Sequence, residues 1–162
     1  MRTAGEQDAS LLYQLSLDAI HDSAAGHYTR DQLRAWTGRR SVSEHSWMIR
    51  NTEVLVAEVD GALAGFCSVA LQAVGSLEPG EVDQLFVHPD HGGRGVARVL
   101  LAAVAALARD AGLSELHTHA SWRAEPAFAR LGYERVEVES VDIDGVVLTR
   151  VRMRKTLGDD RS

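Results

Sequence analysis

The sequence contains little cysteine and little proline, which excludes an intramolecular disulfide and a proline-rich linker. The 162 residues include one cysteine and three prolines. A single cysteine, Cys67, excludes an intramolecular disulfide, and its apolar neighbours favour a buried side chain over a reactive thiol. No internal repeat or low-complexity tract interrupts the chain. We therefore expect one domain over residues 1–157, followed by a polar tail at 158–162.

The sequence also lacks a long hydrophobic run and an excess of positive charge. Its longest apolar run, 99–108, is far shorter than the roughly 20 residues that span a bilayer. Residues 1–10 lack the apolar stretch of a secretory signal. The net charge is −6, whereas nucleic-acid binding usually needs a basic face. We therefore expect a cytoplasmic location, with no membrane partner and no nucleic-acid partner. A cationic ligand is compatible with this charge.

Hydrophobic periodicity and turn signals divide the sequence into helices and strands. Helical structure is predicted at 8–25, 29–36, 43–50 (a single turn), 95–111 and 124–131. Strands are predicted at 53–59, 62–73, 81–88, 116–120, 133–143 and 146–154. The strand–helix–strand unit over 81–120 predicts one parallel pair with a crossover helix, and Asp-Gly hairpins at each end add antiparallel strands. The predicted fold class is a mixed α/β sheet, mostly antiparallel, with flanking helices.

The segment 85–101 carries the strongest chemical signal. Three of its glycines, at 92, 93 and 95, lie where a predicted strand ends and a helix begins. Glycine lets backbone N–H groups crowd around a ligand, and the N–H groups at a helix N-terminus attract anions. Arginines at 94 and 98 add positive charge. A phosphate or pyrophosphate ligand is therefore predicted.

Two common phosphate-binding motifs do not fit this loop. The Walker P-loop pattern Gly-x-x-x-x-Gly-Lys-Ser/Thr is absent. The dinucleotide fingerprint Gly-x-Gly-x-x-Gly also fails, because Gly93-x-Gly95 is followed by Arg98 and the unit lies in the middle of the chain. These mismatches argue against a nucleotide-binding protein of another class. The residues alone do not exclude that the loop is a simple turn that binds no ligand.

Two motifs together resemble the GNAT family of N-acetyltransferases. The run Gly92-Gly93-Arg94-Gly95-Val96-Ala97 resembles the family's acetyl-CoA signature, Gln/Arg-x-x-Gly-x-Gly/Ala, with Gly92 in place of the usual Gln or Arg. The run Ser121 to Tyr133 resembles a later motif, usually written Asn-x-x-Ala, then Tyr, then Gly-Phe. The resemblance covers about residues 50 to 157.

The resemblance implies a GNAT-like acyl-CoA N-acyltransferase fold and acetyl-CoA as co-substrate. The backbone of residues 86–87 would pair with the pantetheine arm, and residues 93–98 would hold the pyrophosphate. The implied cofactor-binding residues are Phe86, Val87, Gly92, Gly93, Arg94, Gly95, Val96, Ala97, Arg98 and Ser121. The acceptor would be an amine on a small molecule or a peptide, and a homodimer is possible.

Two carboxylates are candidates for the general base that an attacking ammonium requires. Glu81 and Asp83 lie two apart on one predicted strand and therefore share a face, as do Leu85 and Val87 beyond them. In relation to Gly95, both positions match those at which some GNAT enzymes carry a catalytic residue. We predict that at least one is catalytic, and solvated carboxylates at the start of a strand are the alternative.

Two histidines and two aromatic residues are candidates for acceptor binding. His117 and His119 share a face of the strand expected beside the carboxylates. With those carboxylates they offer a possible metal site, but such His pairs are more often structural, and no metal is expected. Tyr28 and Trp36 fall in the helical region that often walls the acceptor site in this family. They either contribute to the core or form an aromatic wall for a cation.

One departure from the family pattern bears on catalysis. Many members have a Tyr that protonates the departing thiolate, and the corresponding residue here is Phe128. The sequence thus predicts direct attack by a primary amine with a carboxylate base and without that acid. The alternative is a catalytically weak acetyl-CoA-binding module that acts as a sensor or partner subunit.

Overall fold

One mixed sheet with helices on both faces organises the chain. The structure, a computed structural model, describes residues 1–24, 28–38 and 40–158. The helices are α1 (Ala9–Ala24), α2 (Arg30–Gly38), α3 (Val42–Asn51), α4 (Val96–Asp110) and α5 (Glu125–Arg130). The strands are β1 (Arg2–Thr3), β2 (Glu53–Val59), β3 (Ala62–Ala70), β4 (Glu81–Val87), β5 (Glu115–Ser121), β6 (Glu134–Ile143) and β7 (Val146–Thr156). Their order in the sheet is β1-β2-β3-β4-β5-β7-β6.

Most predicted elements are present, with differences at their ends. The predicted turn at 43–50 is the full helix α3, capped by Ser41, whose hydroxyl accepts from the Glu44 N–H. The two-residue strand β1 was not predicted, and β3 ends three residues earlier than expected. The predicted end of α1 at Ala25 and the tail beyond Gly158 lie outside the described residues. No described helix is long and apolar enough to cross a membrane.

Two hydrophobic clusters cover opposite faces of the sheet. Helix α4 packs through Leu100, Val104 and its other apolar residues on side chains of β3, β4, β5 and β7. Helices α1 and α3 pack through Leu12 and Met48 on the other face, around Phe66 of β3. Burying an apolar side chain of this size contributes about 1.5–3 kcal/mol, so the two clusters fix the helices on the sheet.

The two central strands separate after a short parallel contact. Strands β4 and β5 pair in parallel, as predicted, and only at Glu81 with His117 and at Val82 with Thr118. At the point of separation the buried Thr118 hydroxyl donates to the Val82 carbonyl over 2.8 Å. Strand β5 continues along β7 while β4 continues along β3. A cleft therefore opens between residues 83–87 and 119–121.

A β-bulge at Asp83 changes which side chains share a face of β4. Ser68 of β3 pairs with Gln84, whereas Val69 pairs with Val82, so Asp83 has no partner on β3. The buried Ser68 hydroxyl accepts a 3.0 Å hydrogen bond from the Gln84 N–H, which the bulge would otherwise leave unsatisfied.

The bulge makes one prediction from strand alternation wrong. Val82 lies in the cluster beneath α4, so its neighbours Glu81 and Asp83 point to the opposite face. Beyond the bulge, Leu85 and Val87 pack on the α4 cluster, while Phe86 packs with the cluster of α1 and α3. Leu85 and Val87 therefore do not share the face of the two carboxylates, because the extra residue shifts the alternation by one position.

Candidate active site

A cavity of about 750 Å³ occupies the cleft between β4 and β5. Its floor is formed by both strands, one end reaches the start of α4, and the other end lies under α2 and the β6–β7 hairpin. The predicted site residues that line it are Tyr28, Trp36, Glu81, Asp83, Phe86, Val87, Gly92, Ala97, His119 and Ser121. The separated strands thus bring together residues from the N-terminal helices, the glycine loop and both candidate motifs.

The glycine loop presents exposed backbone at the N-terminus of α4. Gly93 and Gly95 have φ angles of 75° and 77°, in the left-handed region that favours glycine. A Cβ atom added at either position would meet no protein atom within 4 Å, so open space lies beside the backbone. Residues 92–95 and Arg98 are exposed, but the Val96 side chain is buried in the α4 core. Val96 can therefore contact a ligand only through its backbone.

The end of β4 has a free edge toward the cleft. Phe86 and Val87 pair with Phe66 and Gly65 of β3, but no residue of β4 beyond Val82 pairs with β5. Every second backbone N–H and C=O group of this segment therefore faces the open cleft. An extended ligand with amide groups can add to such an edge as another strand would.

The two candidate base residues have different environments. Glu81 is only 8% exposed and lies 3.6 Å from Nε2 of His117, which is equally far from Glu78. His117, for which the sequence predicted a role in acceptor binding, is not among the residues that line the cavity. This group of Glu78, Glu81 and His117 lies where β4 and β5 pair, so it can stabilise the parallel contact.

Asp83 lies in the cavity with its side chain open to solvent. No salt bridge within 4.0 Å joins it to any described residue. The protein around it raises the pKa of Asp83 by burial, and the charge of Glu81 raises it further, although Arg40 opposes both effects. A carboxylate with a raised pKa that faces a cavity has the properties of a general base.

An arginine that the sequence did not single out supports this part of the cleft. The Arg40 guanidinium donates from Nη2 to Gln84 Oε1 over 2.6 Å and from Nε to Ser16 Oγ over 3.1 Å. Its central carbon lies 4.9 Å from the centre of the Phe86 ring, within cation–π range. Burial lowers the pKa of Arg40. Because Gln84 adjoins the bulge, Arg40 holds the backbone beside Asp83 in place.

A buried histidine completes this network. His45 is 0% exposed, and its Nδ1 lies 2.8 Å from the Ser41 carbonyl, which can only accept a hydrogen bond. Its Nδ1 therefore carries the proton, and its Nε2 is left to accept from Arg40 at 3.3 Å. Burial lowers the pKa of His45, which agrees with a neutral ring. No spacing pattern in the sequence links these residues, since they come from different elements.

His119 belongs to a separate charged group on the β5 side of the cleft. Its Nδ1 lies 3.3 Å from Oε2 of Glu139, which also accepts a 2.8 Å hydrogen bond from Arg150. Burial opposes ionisation of Glu139, but the Arg150 hydrogen bond and the His119 charge outweigh it and lower its pKa. The two histidines predicted to act together thus have different carboxylate partners.

Tyr28 and Trp36 form one aromatic wall of the cavity. Their ring centres are 5.6 Å apart with planes at 63°. The Tyr28 hydroxyl interacts with the Ser121 side chain and the Arg123 backbone, while burial raises its pKa. Phe128, also at the cavity, is only 4% exposed and packs edge-on against Tyr133 at 5.0 Å. Phe128 brings no proton donor to the cleft.

Comparison with known proteins identifies the family. A family model described as an acetyltransferase (GNAT) domain matches residues 24–157. An uncharacterized N-acetyltransferase of Escherichia coli, YafP, is 30% identical over 149 residues, which cover 91% of this chain and 89% of the relative. The chain therefore belongs to the GNAT family of acetyltransferases, as the sequence motifs predicted, and it is an acyltransferase.

Solved structures share the same fold. A GCN5-related N-acetyltransferase from Rhodopseudomonas palustris superposes with a TM-score of 0.85 and 29% identity, over 96% of this chain and 94% of the other. The PaiA N-acetyltransferase of Thermoplasma acidophilum, solved with coenzyme A, has a TM-score of 0.74 and 18% identity over 96% of each chain. The predicted mixed sheet with one parallel pair and flanking helices is thereby confirmed as the GNAT fold.

Proposed function

We propose that the protein transfers the acetyl group of acetyl-CoA to a primary amine by direct attack, with Asp83 as the general base. The observation that carries this proposal is the position of Asp83, an exposed carboxylate at a β-bulge that forms no salt bridge with any described residue and lines the cleft beside the open edge of β4. Residues 1–157 would form a single N-acetyltransferase domain.

The cofactor would lie along the edge of β4 and end at α4. The pantetheine amides would pair with the backbone of Phe86 and Val87, and the pyrophosphate would accept from N–H groups of the loop at 92–98. Arg94 and Arg98, both exposed, would add charge there. Ser121 lies across the cleft at the end of β5. The coenzyme A bound to the similarly folded PaiA protein supports this ligand.

The chemistry needs one proton removed and one returned. An alkylammonium has a pKa of about 10 by analogy with lysine, so Asp83 would take its proton, directly or through water. The amine nitrogen then attacks the thioester carbonyl, and the C–S bond breaks as the amide forms. The nitrogen loses a second proton, which the coenzyme A sulfur can accept. That thiol has a pKa of about 8.5 by analogy with cysteine, so the reaction can proceed without a tyrosine at position 128.

Release of free thiol from acetyl-CoA in the presence of pooled primary amines tests the proposal. We expect time-dependent thiol release that needs both an amine and the protein. Saturable acetyl-CoA binding without release for any amine would instead support the catalytically weak binding module, which the replacement of Tyr by Phe128 favours. A protein that binds neither acetyl-CoA nor coenzyme A would contradict both functions.

A further inference from the structure

Helix α2 carries apolar side chains that the described protein leaves partly uncovered. None of its residues is buried, although Leu33, Ala35 and Trp36 are apolar. The helix contacts α1 on one side and β7 on the other, and Gln32 Nε2 donates to the Val147 carbonyl over 3.2 Å. It thus spans the outer end of the cavity, with Trp36 among the lining residues.

The opposite wall of this end of the cavity is also apolar. Val141 and Ile143 of β6 and Leu148 of β7 line the cavity and are half-buried. Their neighbour Val147 does not line the cavity and is 54% exposed. Together with Tyr28 and Trp36, these three aliphatic side chains form an apolar chamber, and the charged residues Asp22, Arg123 and Arg150 line the same cavity beside it.

The inner end of the same cavity is anionic. Asp83 and Glu44 both line it, and within the described part of the chain no salt bridge neutralises either carboxylate. The cation Arg40 lines this cavity too, but its guanidinium already donates to Gln84 and Ser16. A ligand that spans the cavity would therefore meet carboxylates at one end and apolar side chains at the other.

We propose that the acceptor is a monoamine with an apolar alkyl or aryl body. Its ammonium group would face Asp83 and Glu44, and its body would lie between the Tyr28–Trp36 wall and the aliphatic wall of the β6–β7 hairpin. This inference rests on the proposed acetyl transfer and specifies its substrate class. A second ammonium group at the far end of the body would leave water for the apolar chamber, in the same cavity as the cations Arg123 and Arg150, which is costly.

A panel of matched amines tests the inference through thiol release at fixed acetyl-CoA. Across ethylamine, butylamine and hexylamine, kcat/KM should rise about fourfold for each methylene that the chamber buries. Butylamine should exceed 1,4-diaminobutane by at least tenfold. Equal or higher activity with the diamine, or no dependence on chain length, would overturn the inference while leaving acetyl transfer intact. No release with any amine would contradict the proposed function and the inference together.

Two adjacent residues supply a matched pair of variants. Leu148→Ser should lower kcat/KM for hexylamine by about tenfold or more through KM and leave ethylamine nearly unchanged. The side chain of Val147 points away from the cavity, so Val147→Ser should leave kcat/KM unchanged for both hexylamine and ethylamine. If Leu148→Ser does not fold, Trp36→Leu provides the second test, and it should reduce the preference for 2-phenylethylamine over hexylamine. Identical amine profiles for wild type and a folded Leu148→Ser protein would show that the chamber does not bind the acceptor.

Discussion

The glycine at the N-terminus of α4 offers a sharp test of where the cofactor binds. Gly95 has a φ angle of 77° and open space where a Cβ atom would be. Gly95→Asp therefore adds little steric conflict within the protein and costs about 1 kcal/mol in backbone strain. Its carboxylate would lie where the pyrophosphate is expected. Two like charges 4 Å apart repel by about 4 kcal/mol at an effective dielectric constant of 20. That energy corresponds to a loss of about 10³-fold in acetyl-CoA affinity.

Two further variants separate the effect of the added negative charge on acetyl-CoA affinity from the effect of backbone strain. Gly61, in the β2–β3 hairpin, has a φ angle of 78° and no atom within 4 Å of an added Cβ. Gly61→Asp should therefore lower the melting temperature as much as Gly95→Asp does, with no loss of affinity. Gly95→Asn, which adds bulk without charge, should give an intermediate affinity. Calorimetric titration with acetyl-CoA measures the affinity of all three variants. Unchanged affinity in a folded Gly95→Asp protein would refute this placement of the pyrophosphate.

Three other outcomes are expected. Tyr13→Phe, Tyr28→Phe and Tyr133→Phe should each reduce kcat/KM by less than about tenfold, because none is expected to protonate the sulfur; a larger loss in one variant would identify an acid. The value of kcat/KM should fall as the pH drops through the raised pKa of Asp83, because only the carboxylate is a base. A carboxyl group whose pKa is raised on folding stabilises the fold only at low pH. Asp83→Asn should therefore raise the melting temperature at pH 7 relative to wild type, and a lower value would contradict the raised pKa of this group.

Local patterns in the sequence were sufficient to predict most of the fold. The Asp-Gly pairs fix the two hairpins, because glycine adopts a left-handed conformation there, and the apolar face of 96–110 fixes α4 on the sheet. The strand–helix–strand order then requires a parallel pair. The glycine loop was equally visible, since its residues are adjacent in the chain. Strand β1 could not be predicted, because two residues carry no periodicity.

Features that depend on distant residues could not be predicted in the same way. The bulge at Asp83 depends on how β3 and β4 align, and it reverses the faces of Leu85 and Val87 relative to simple alternation. Arg40 lies in a loop without any motif, yet it contacts side chains from α1, α3 and β4. Such contacts follow from packing, which a pattern along one chain does not encode.

The sequence also could not distinguish between the two candidate bases. Glu81 and Asp83 have the same residue chemistry and the same predicted face. In the structure both line the cavity, but Glu81 is only 8% exposed and lies beside His117 at the parallel contact, whereas the side chain of Asp83 is exposed. That difference arises from the parallel contact, which ends at Val82, and from the bulge that follows it.

The central claim is that Asp83 removes the proton from the acceptor amine. The most direct measurement is kcat/KM for wild type, Asp83→Asn and Glu81→Gln across pH with one primary amine, together with the Kd of acetyl-CoA for each protein. We predict that Asp83→Asn lowers kcat/KM by about 10² to 10⁴ and leaves the Kd unchanged. Glu81→Gln should cost less than about tenfold in a folded protein. Activity of Asp83→Asn within tenfold of wild type, at a pH where the amine is protonated, would contradict the account.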